Sequence, residues 1–307
     1  MRLSAVFTAV AAASLGLLTT GCTTPQATAP STFTPGTYTA KVTGHNAPMT
    51  VKVTVSKNRI ESIDTTDNLE TIGVGKVALE IMKDKIIKHQ SLGVDVVTGA
   101  SISSLALKQG VEECLEKAGG NMDALTENVE KHPAGEVTYK ADVVVIGGGG
   151  SGLAAAIAAH QANAKKVIVL EKMGFLGGST NVSEGALNAP DPVRQGKQGI
   201  EDSIEKFYDQ TMKGGHNKGT PSLVHYLTSH AMEEVNWLES LGVKFKDEVG
   251  TATGALWQRS HYPATPSGNT YIRTFEQVIR DSNGGIEVLT DTPVKSITTV
   301  DGRVTGV

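Results

Sequence analysis

The stretch that decides the fold reads Asp142-Val143-Val144-Val145-Ile146-Gly147-Gly148-Gly149-Gly150-Ser151-Gly152. Its apolar part shows no alternation, which predicts a strand buried on both faces of a parallel sheet. An alanine-rich helix is predicted over residues 152–164, and a second apolar strand over 167–170. A strand, a glycine-rich turn, a helix and a parallel strand make a βαβ unit, so residues 142–171 predict an α/β layer.

The glycine-rich turn has the spacing G-x-G-x-x-G, carried by Gly147, Gly149 and Gly152. The first glycine permits the tight turn, the second lets backbone N–H groups approach a pyrophosphate, and the third lets helix pack on strand. Gly150 and Ser151 open the helix, whose N-terminus favours phosphate. Glu171 ends the second strand, where a carboxylate accepts hydrogen bonds from ribose hydroxyls. The pattern predicts a dinucleotide site; the alternative is a glycine-rich loop without a ligand.

The segment after this carboxylate is rich in glycine and small residues. Residues 171–189 resemble the stretch that follows the ribose carboxylate in FAD enzymes of the fumarate reductase and succinate dehydrogenase flavoprotein family. The resemblance implies non-covalent FAD, held by Lys172, Gly177, Gly178, Ser179, Thr180, Gly185, Ala186 and Asn188. Small residues suit a planar ring lying against backbone. The alternatives are a surface loop and an NAD-dependent dehydrogenase, which would be colourless.

A second flavin-type signature lies upstream, in Asp95-Val96-Val97-Thr98-Gly99-Ala100-Ser101. It resembles the D-x-x-[ST]-G-A-[ST] pattern at which a bacterial flavin transferase esterifies FMN onto a hydroxyl. The resemblance implies covalent FMN at Ser101, with Asp95, Thr98, Gly99 and Ala100 in the same site. A compatible alternative is that Ser101 caps the following helix.

Residues 36–120 around this signature predict an α+β FMN-binding domain of antiparallel strands and helices. The expected strands lie at 38–42, 51–55 and 60–63, and the expected helices at 74–89 and 102–118. Cys114 falls in the apolar stripe of the second helix, so we expect it in the core. Residues 121–139 are expected to form a polar linker.

The remaining residues, 140–307, predict an α/β Rossmann-like FAD-binding domain that is incomplete. Two or three amphipathic helices are expected over 200–242, and a hairpin over 294–307 turns at Asp301-Gly302. The chain stops in that hairpin, and the resemblance places further family elements beyond Val307. We therefore expect a chain truncated at its C-terminus.

The N-terminus resembles an export signal. A short positive end precedes an almost wholly apolar run, and residues 1–22 end in a junction that resembles a lipoprotein cleavage site before Cys22. Residues 23–35 are rich in Thr, Pro, Ala and Ser and predict a tether. We expect a lipid-anchored protein on the extracytoplasmic face of the membrane; the alternative is a secreted or periplasmic protein cut nearby.

Charge and cysteine content exclude other classes. The net charge of −4 offers no excess of Lys and Arg for neutralising nucleic-acid phosphates. Cys22 and Cys114 are the two cysteines, and their placement suits neither a disulfide framework nor a paired-cysteine metal site. No metal site and no nucleic-acid partner are expected.

The order of leader, FMN domain and FAD domain resembles the fumarate reductase-like flavoproteins, which include urocanate reductases and flavocytochromes c. The resemblance implies reduction of an α,β-unsaturated carboxylate by hydride from FAD, with electrons relayed through FMN. It further implies a membrane quinol- or cytochrome-linked donor in anaerobic respiration, and a flavin transferase for maturation. The catalytic residues are expected beyond Val307; His261 is a candidate near the site, and the alternative is an ordinary loop histidine. The alternative is an electron-transfer module without substrate chemistry.

Overall fold

The computed structural model describes residues 32–129, 135–265 and 267–307 with side chains, and the backbone of Ala5–Ala9. The chain divides into two compact units. The first combines residues up to Gly147 with Ala164–Leu176 and Val288–Val307, and the second combines Gly148–Asn163 with Gly177–Glu287. Cys22 and most of the predicted leader and tether lie outside the described residues.

The first unit contains the expected antiparallel sheet. Its strands are β2 (Gly36–Thr43), β3 (Pro48–Ser56) and β4 (Arg59–Asp64), in the order β2-β3-β4. Alternate side chains of β3 are buried, because successive residues of a strand point to opposite faces. The predicted meander is confirmed.

Two helices cover the buried face of this sheet, α1 (Gly75–His89) and α2 (Ser101–Lys117). Both agree with the expected helices. Cys114 is fully buried, and its Sγ lies 3.7 Å from the carbonyl oxygen of Val51. A Cβ on Gly110 would lie 2.5 Å from Val51 Cγ2, so a glycine lets α2 approach β3 closely.

The predicted polar linker contains regular structure, which corrects the expectation for residues 121–139. A short helix α3 (Met122–Thr126) is capped by the Asn121 side chain, and β5 (Val137–Ala141) pairs antiparallel with β1 (Ala5–Ala9). Leu125 of α3 is buried in the core of the first unit. The Leu125 side chain anchors the segment in the core. The mostly polar composition of residues 121–139 gave no sign of this contact.

A second sheet has the strand order β10-β7-β6, with β6 at Val143–Ile146, β7 at Val167–Leu170 and β10 at Ile286–Leu289. Strands β6 and β7 pair in parallel, as expected, and α4 (Gly150–Gln161) lies between them in the chain. All of β7 is buried, but β6 is half-buried and Ile146 is 51% exposed. The expectation that β6 is buried on both faces is wrong, because β6 is an edge strand of the described sheet.

The second unit is mainly helical. It contains α5 (Arg194–Lys197), α6 (Ile204–Gly214), α7 (Pro221–Ser240) and α8 (Asn269–Asp281), with a 3₁₀ turn at Gly178–Val182 and a strand pair of β8 (Leu187–Asn188) and β9 (Ser260–His261). The helices expected over 200–242 are confirmed. Ser203 caps α6 by accepting from the Lys206 N–H, and Trp237 of α7 packs against Phe275 of α8.

The C-terminal hairpin is confirmed. It pairs β11 (Thr298–Val300) with β12 (Arg303–Gly306). Asp301 has φ of 50° and Gly302 has φ of 75°, which is the pair of positive angles that a type I′ turn requires. Among the helices that the structure describes, none combines the length and the apolar character needed to cross a membrane.

Candidate functional site

Ser101 lies at the start of α2, beside a cavity of about 340 Å³ in the first unit. The N-cap of α2 is Ala100, and no side chain of the described residues caps the helix. The alternative in which Ser101 serves as the helix cap is therefore wrong. The cavity is lined by His45, Glu70, Thr71, Val74, Gly75, Gly99, Ala100, Ser101, Ile102 and Ser103.

The structure brings three of the five predicted FMN residues to this cavity, namely Gly99, Ala100 and Ser101. Gly99 has φ of +90°, a conformation that side chains rarely adopt, and it turns the chain into α2. Asp95 and Thr98 are exposed and do not line the cavity. The signature therefore contributes its last three residues to the cavity.

The residues around Ser101 fit a flavin phosphate. Its side chain is exposed, and within the described ranges no hydrogen bond occupies its hydroxyl. The first turn of α2 carries no acidic residue. A helix N-terminus offers free N–H groups and a positive partial charge, both of which stabilise a phosphate. The cavity also lies within the usual range for ligand pockets, about 300–1,000 Å³.

Glu70 is one of the seven lining residues that the sequence did not reveal. It is 3% exposed, and its Oε1 accepts from the backbone N–H of His45 at 2.7 Å. Its Oε2 accepts from the Ser103 hydroxyl at 2.6 Å. The available signal was its position just before Gly73 and Gly75, in a turn that leads into a helix.

In the first unit, Gly147 and Glu171 lie at the carboxyl ends of paired strands. The Gly147 N–H donates to the Leu170 carbonyl at 2.8 Å, and Glu171 follows Leu170 directly. Gly147 has φ of +100°, and an added Cβ would meet only open space. Glu171 is 7% exposed, and its Oε1 accepts from the Met173 N–H. The backbone here is open to a ligand, as a pyrophosphate turn requires.

In the second unit, the two glycine segments of the predicted site meet. Gly149 and Gly177 form a parallel bridge, and the Gly177 N–H donates to the Gly148 carbonyl at 2.7 Å. A Cβ on Gly150 would lie 2.6 Å from Thr180 Oγ1. The predicted residues left exposed or half-exposed in this unit are Gly149, Gly150, Ser151, Gly152, Gly178, Ser179, Thr180, Ala186 and Asn188.

The later residues of the FAD segment are held by α8 and β9. Gly185 has φ of +81°, its added Cβ would lie 2.8 Å from Gly268 N, and its carbonyl accepts from Tyr271 Oη. Asn188 Oδ1 accepts from Ser260 Oγ at 2.6 Å. Ala186 is half-buried between them in the chain. In the first unit, Lys172 is exposed.

His261 lies in a strand rather than in an ordinary loop, and its place near the catalytic site stays a prediction. It is 1% exposed in β9, which pairs with β8. Its Nε2 lies 3.1 Å from Asp191 Oδ2 and its Nδ1 lies 3.3 Å from the Leu187 carbonyl oxygen. An oxygen atom of the protein thus lies within reach of each ring nitrogen. In the described chain His261 therefore holds the β8 strand in place.

Asp191 is the centre of this buried cluster, since its carboxylate also pairs with Arg194 at 3.0 Å. Burial raises the pKa of Asp191, but hydrogen bonds from Arg194, His261 and Val193 outweigh it and lower the pKa from 3.8 to about 2. A group with a depressed folded pKa contributes stability above its unfolded pKa and loses it as pH falls through the folded value.

We expect the free energy of unfolding to fall as pH drops from about 4 to about 2, as Asp191 becomes protonated. Asp191→Asn should cost about 3 kcal/mol at neutral pH, because it removes one partner of a buried ion pair. It should also flatten this part of the pH profile. Urea unfolding at a series of pH values measures both effects, and a variant with the wild-type pH profile would contradict the assignment.

A second cavity, of about 380 Å³, lies in the second unit near Arg259. The Arg259 guanidinium makes two hydrogen bonds of 2.7 Å to Asp202 and lies 4.6 Å from the Phe207 ring centroid. The cavity is lined by Asn188, Phe207, Gln210, Thr211, Gly214, Gly254, Ala255, Leu256, Trp257 and Arg259.

Two family profiles match the chain. The profile of the FAD binding domain matches residues 142–307, and that of the FMN-binding domain matches residues 44–116. The first profile covers more than half of the chain. Both matches include the residues that form the sites described above.

Three curated relatives illustrate the similarity. NADH:acrylate oxidoreductase of Vibrio harveyi is 30% identical over 88% of this chain and 32% of its own length. Urocanate reductase of Eggerthella lenta is 35% identical over 82% of this chain and 39% of its own length. NADH:fumarate oxidoreductase of Klebsiella pneumoniae is 32% identical over 84% of this chain and 27% of its own length. The chain therefore spans between 27% and 39% of the length of these relatives.

Proposed function

Because this chain belongs to the FAD binding domain family and carries an FMN-binding domain before the FAD domain, we propose that it takes part in the reduction of an α,β-unsaturated carboxylate. When bound, the two flavins supply electron relay and hydride transfer to the carbon–carbon double bond. One observation carries the proposal: an exposed Ser101 beside a ligand-sized cavity and FAD-type glycine segments occur in a single chain.

The FAD would be held by the glycine-rich turn and the segment after Glu171. The parallel pair β6 and β7, with α4 between them in the chain, supports a Rossmann-like arrangement. An added Cβ at Gly147 would meet only open space, which leaves room for the pyrophosphate. Glu171 would accept from the ribose. The close contact of Gly185 with Gly268 fixes the backbone around Ala186, against which a flat ring would lie.

The FMN would be held covalently at Ser101. Its hydroxyl is exposed at the start of a 17-residue helix, whose N-terminus stabilises the phosphate. Formation of the ester needs a flavin transferase as a maturation partner. Asp95 and Thr98 lie outside the cavity lining and fit a role in recognition by that enzyme better than contact with the flavin.

The relatives support the proposed substrate class, because their names specify acrylate, urocanate and fumarate. Each is a carboxylate conjugated to a double bond, so we place this chain's substrate in the same class. The electron donor would be a membrane quinol or a cytochrome. Export and lipid attachment at Cys22 belong to the same proposal, and failure of labelled fatty acid to enter the protein would exclude the lipid.

Reoxidation of the reduced flavins tests the proposed function. The protein, expressed from its complete gene with a flavin transferase, is reduced anaerobically and mixed with fumarate, urocanate, acrylate or cinnamate. We expect at least one acid to restore the oxidised flavin spectrum, whereas the saturated analogue succinate should not. Flavins that stay reduced with every acid would contradict substrate reduction and favour an electron-transfer module.

A further inference from the structure

The cavity beside Ser101 contains a buried negative charge that the attachment of FMN does not explain. We propose that the Glu70 carboxylate contacts the FMN held at Ser101 and lowers its reduction potential. This inference rests on the FMN attachment proposed above. Its basis is the hydrogen bonding, charge and surroundings of Glu70.

The hydrogen-bond count leaves Glu70 with capacity for one more partner. A carboxylate has about four acceptor positions. Two acceptor positions lie on Oε1, which accepts from the backbone N–H of His45 at 2.7 Å and of Asn46 at 3.4 Å. A third lies on Oε2, which accepts from the Ser103 hydroxyl. Oε2 therefore has one position left, and Glu70 lines the cavity. A flavin carries N–H and ribityl O–H donors that suit it.

Among the described residues, the charge of Glu70 has no cationic partner. In the ranges that carry described side chains, no Lys or Arg forms an ion pair with this carboxylate, and its three donors are neutral. A buried charge acts through a low effective dielectric, so its field reaches a neighbouring ligand with little screening. A negative charge beside a flavin disfavours the electron-rich reduced form.

The carboxylate is fixed rather than free to swing away. An added Cβ on Gly75 would lie 2.6 Å from Oε2, and one on Gly44 would come closer still to Oε1. The backbone of two segments therefore packs directly against the carboxylate. Asn46 ties the same segments together, since its side-chain amide donates to the Leu69 carbonyl and the Thr71 hydroxyl.

The apolar surroundings fit the flat ring of the flavin. Val74 and Ile102 line the cavity. Ile102 is exposed, and so are Leu69 and Ile72, which adjoin the lining residues Glu70 and Thr71 in the sequence. Exposed apolar groups beside a cavity mark a ligand site. The cavity therefore offers apolar contacts for a ring and one fixed carboxylate.

Redox titration of the flavinylated full-length protein tests the inference. The FMN wave is the one that Ser101→Ala removes. Glu70→Gln keeps the shape of the side chain and removes its charge, so we expect the FMN potential to rise. The expected size is about a tenfold larger reduced-to-oxidised ratio at fixed potential, or about 30 mV for a two-electron couple. Glu61→Gln, an exposed site on β4, should leave the potential unchanged.

Ser103→Ala gives a second test that does not alter Glu70. Removing the hydroxyl leaves the carboxylate charge less neutralised, so the FMN potential should fall, opposite to the effect of Glu70→Gln. Intact mass reports the FMN adduct independently. An adduct with an unchanged potential in both variants would refute the role of Glu70 and leave the attachment standing. A wild-type protein without the adduct would contradict the attachment and this inference together.

Discussion

Ser101→Ala should abolish the covalent FMN adduct. The ester needs a hydroxyl oxygen, and the structure places that of Ser101 at an exposed helix N-terminus beside a ligand-sized cavity. The substitution removes no hydrogen bond that the described residues show, so the fold should be retained. After co-expression with a flavin transferase, intact mass spectrometry should show one FMN on the wild-type chain and none on the variant.

Ser101→Thr is the matched control, because it keeps a hydroxyl at the same backbone position. We expect it to retain the adduct. An FMN adduct on the alanine variant would show that FMN is attached at another residue. Loss of the adduct from the threonine variant, with the fold intact, would show that Ser101 acts otherwise than as the ester oxygen.

Gly177→Ala should weaken FAD binding at least tenfold. Gly177 has φ of +108°. A positive φ costs a residue that has a Cβ about 1–2 kcal/mol. The new Cβ would also collide with the Asn181 side chain. Asn181 accepts from Asn269 at 2.8 Å, so the collision disturbs α8 as well. Titration of apoprotein with FAD, followed by flavin fluorescence, measures the change.

Gly196→Ala is the control for this variant. Gly196 lies in α5, and an added Cβ there would meet nothing within 4 Å. We expect wild-type FAD affinity from it. Equal affinity of the Gly177 variant and the control would show that the bridge between Gly149 and Gly177 does not hold the cofactor.

Local patterns in the sequence predicted the elements that depend on neighbouring residues alone. The alternation in β3 predicted which side chains are buried, and Asp301-Gly302 predicted a turn with two positive φ angles. Helix α2 was predicted from apolar spacing, and its first residue, Ser101, was identified from a signature rather than from spacing. Each of these features is encoded within a few residues.

Features that depend on distant contacts were not predictable. Ser103 is 33 residues from Glu70, and His261 is 70 residues from Asp191, so no spacing rule brings either pair together. The prediction that β6 is buried on both faces was wrong for a related reason. An apolar run shows that a strand can be covered on both faces, but its place at the sheet edge depends on which strands pair.

We propose that one chain holds FAD by non-covalent contacts and FMN by a covalent bond. The direct measurement is denaturation of the flavinylated protein, followed by separate analysis of the released flavin and the polypeptide. We expect about one FAD in the supernatant and a polypeptide heavier by one FMN. A colourless preparation that releases no FAD and shows the unmodified mass would exclude both modes of flavin binding.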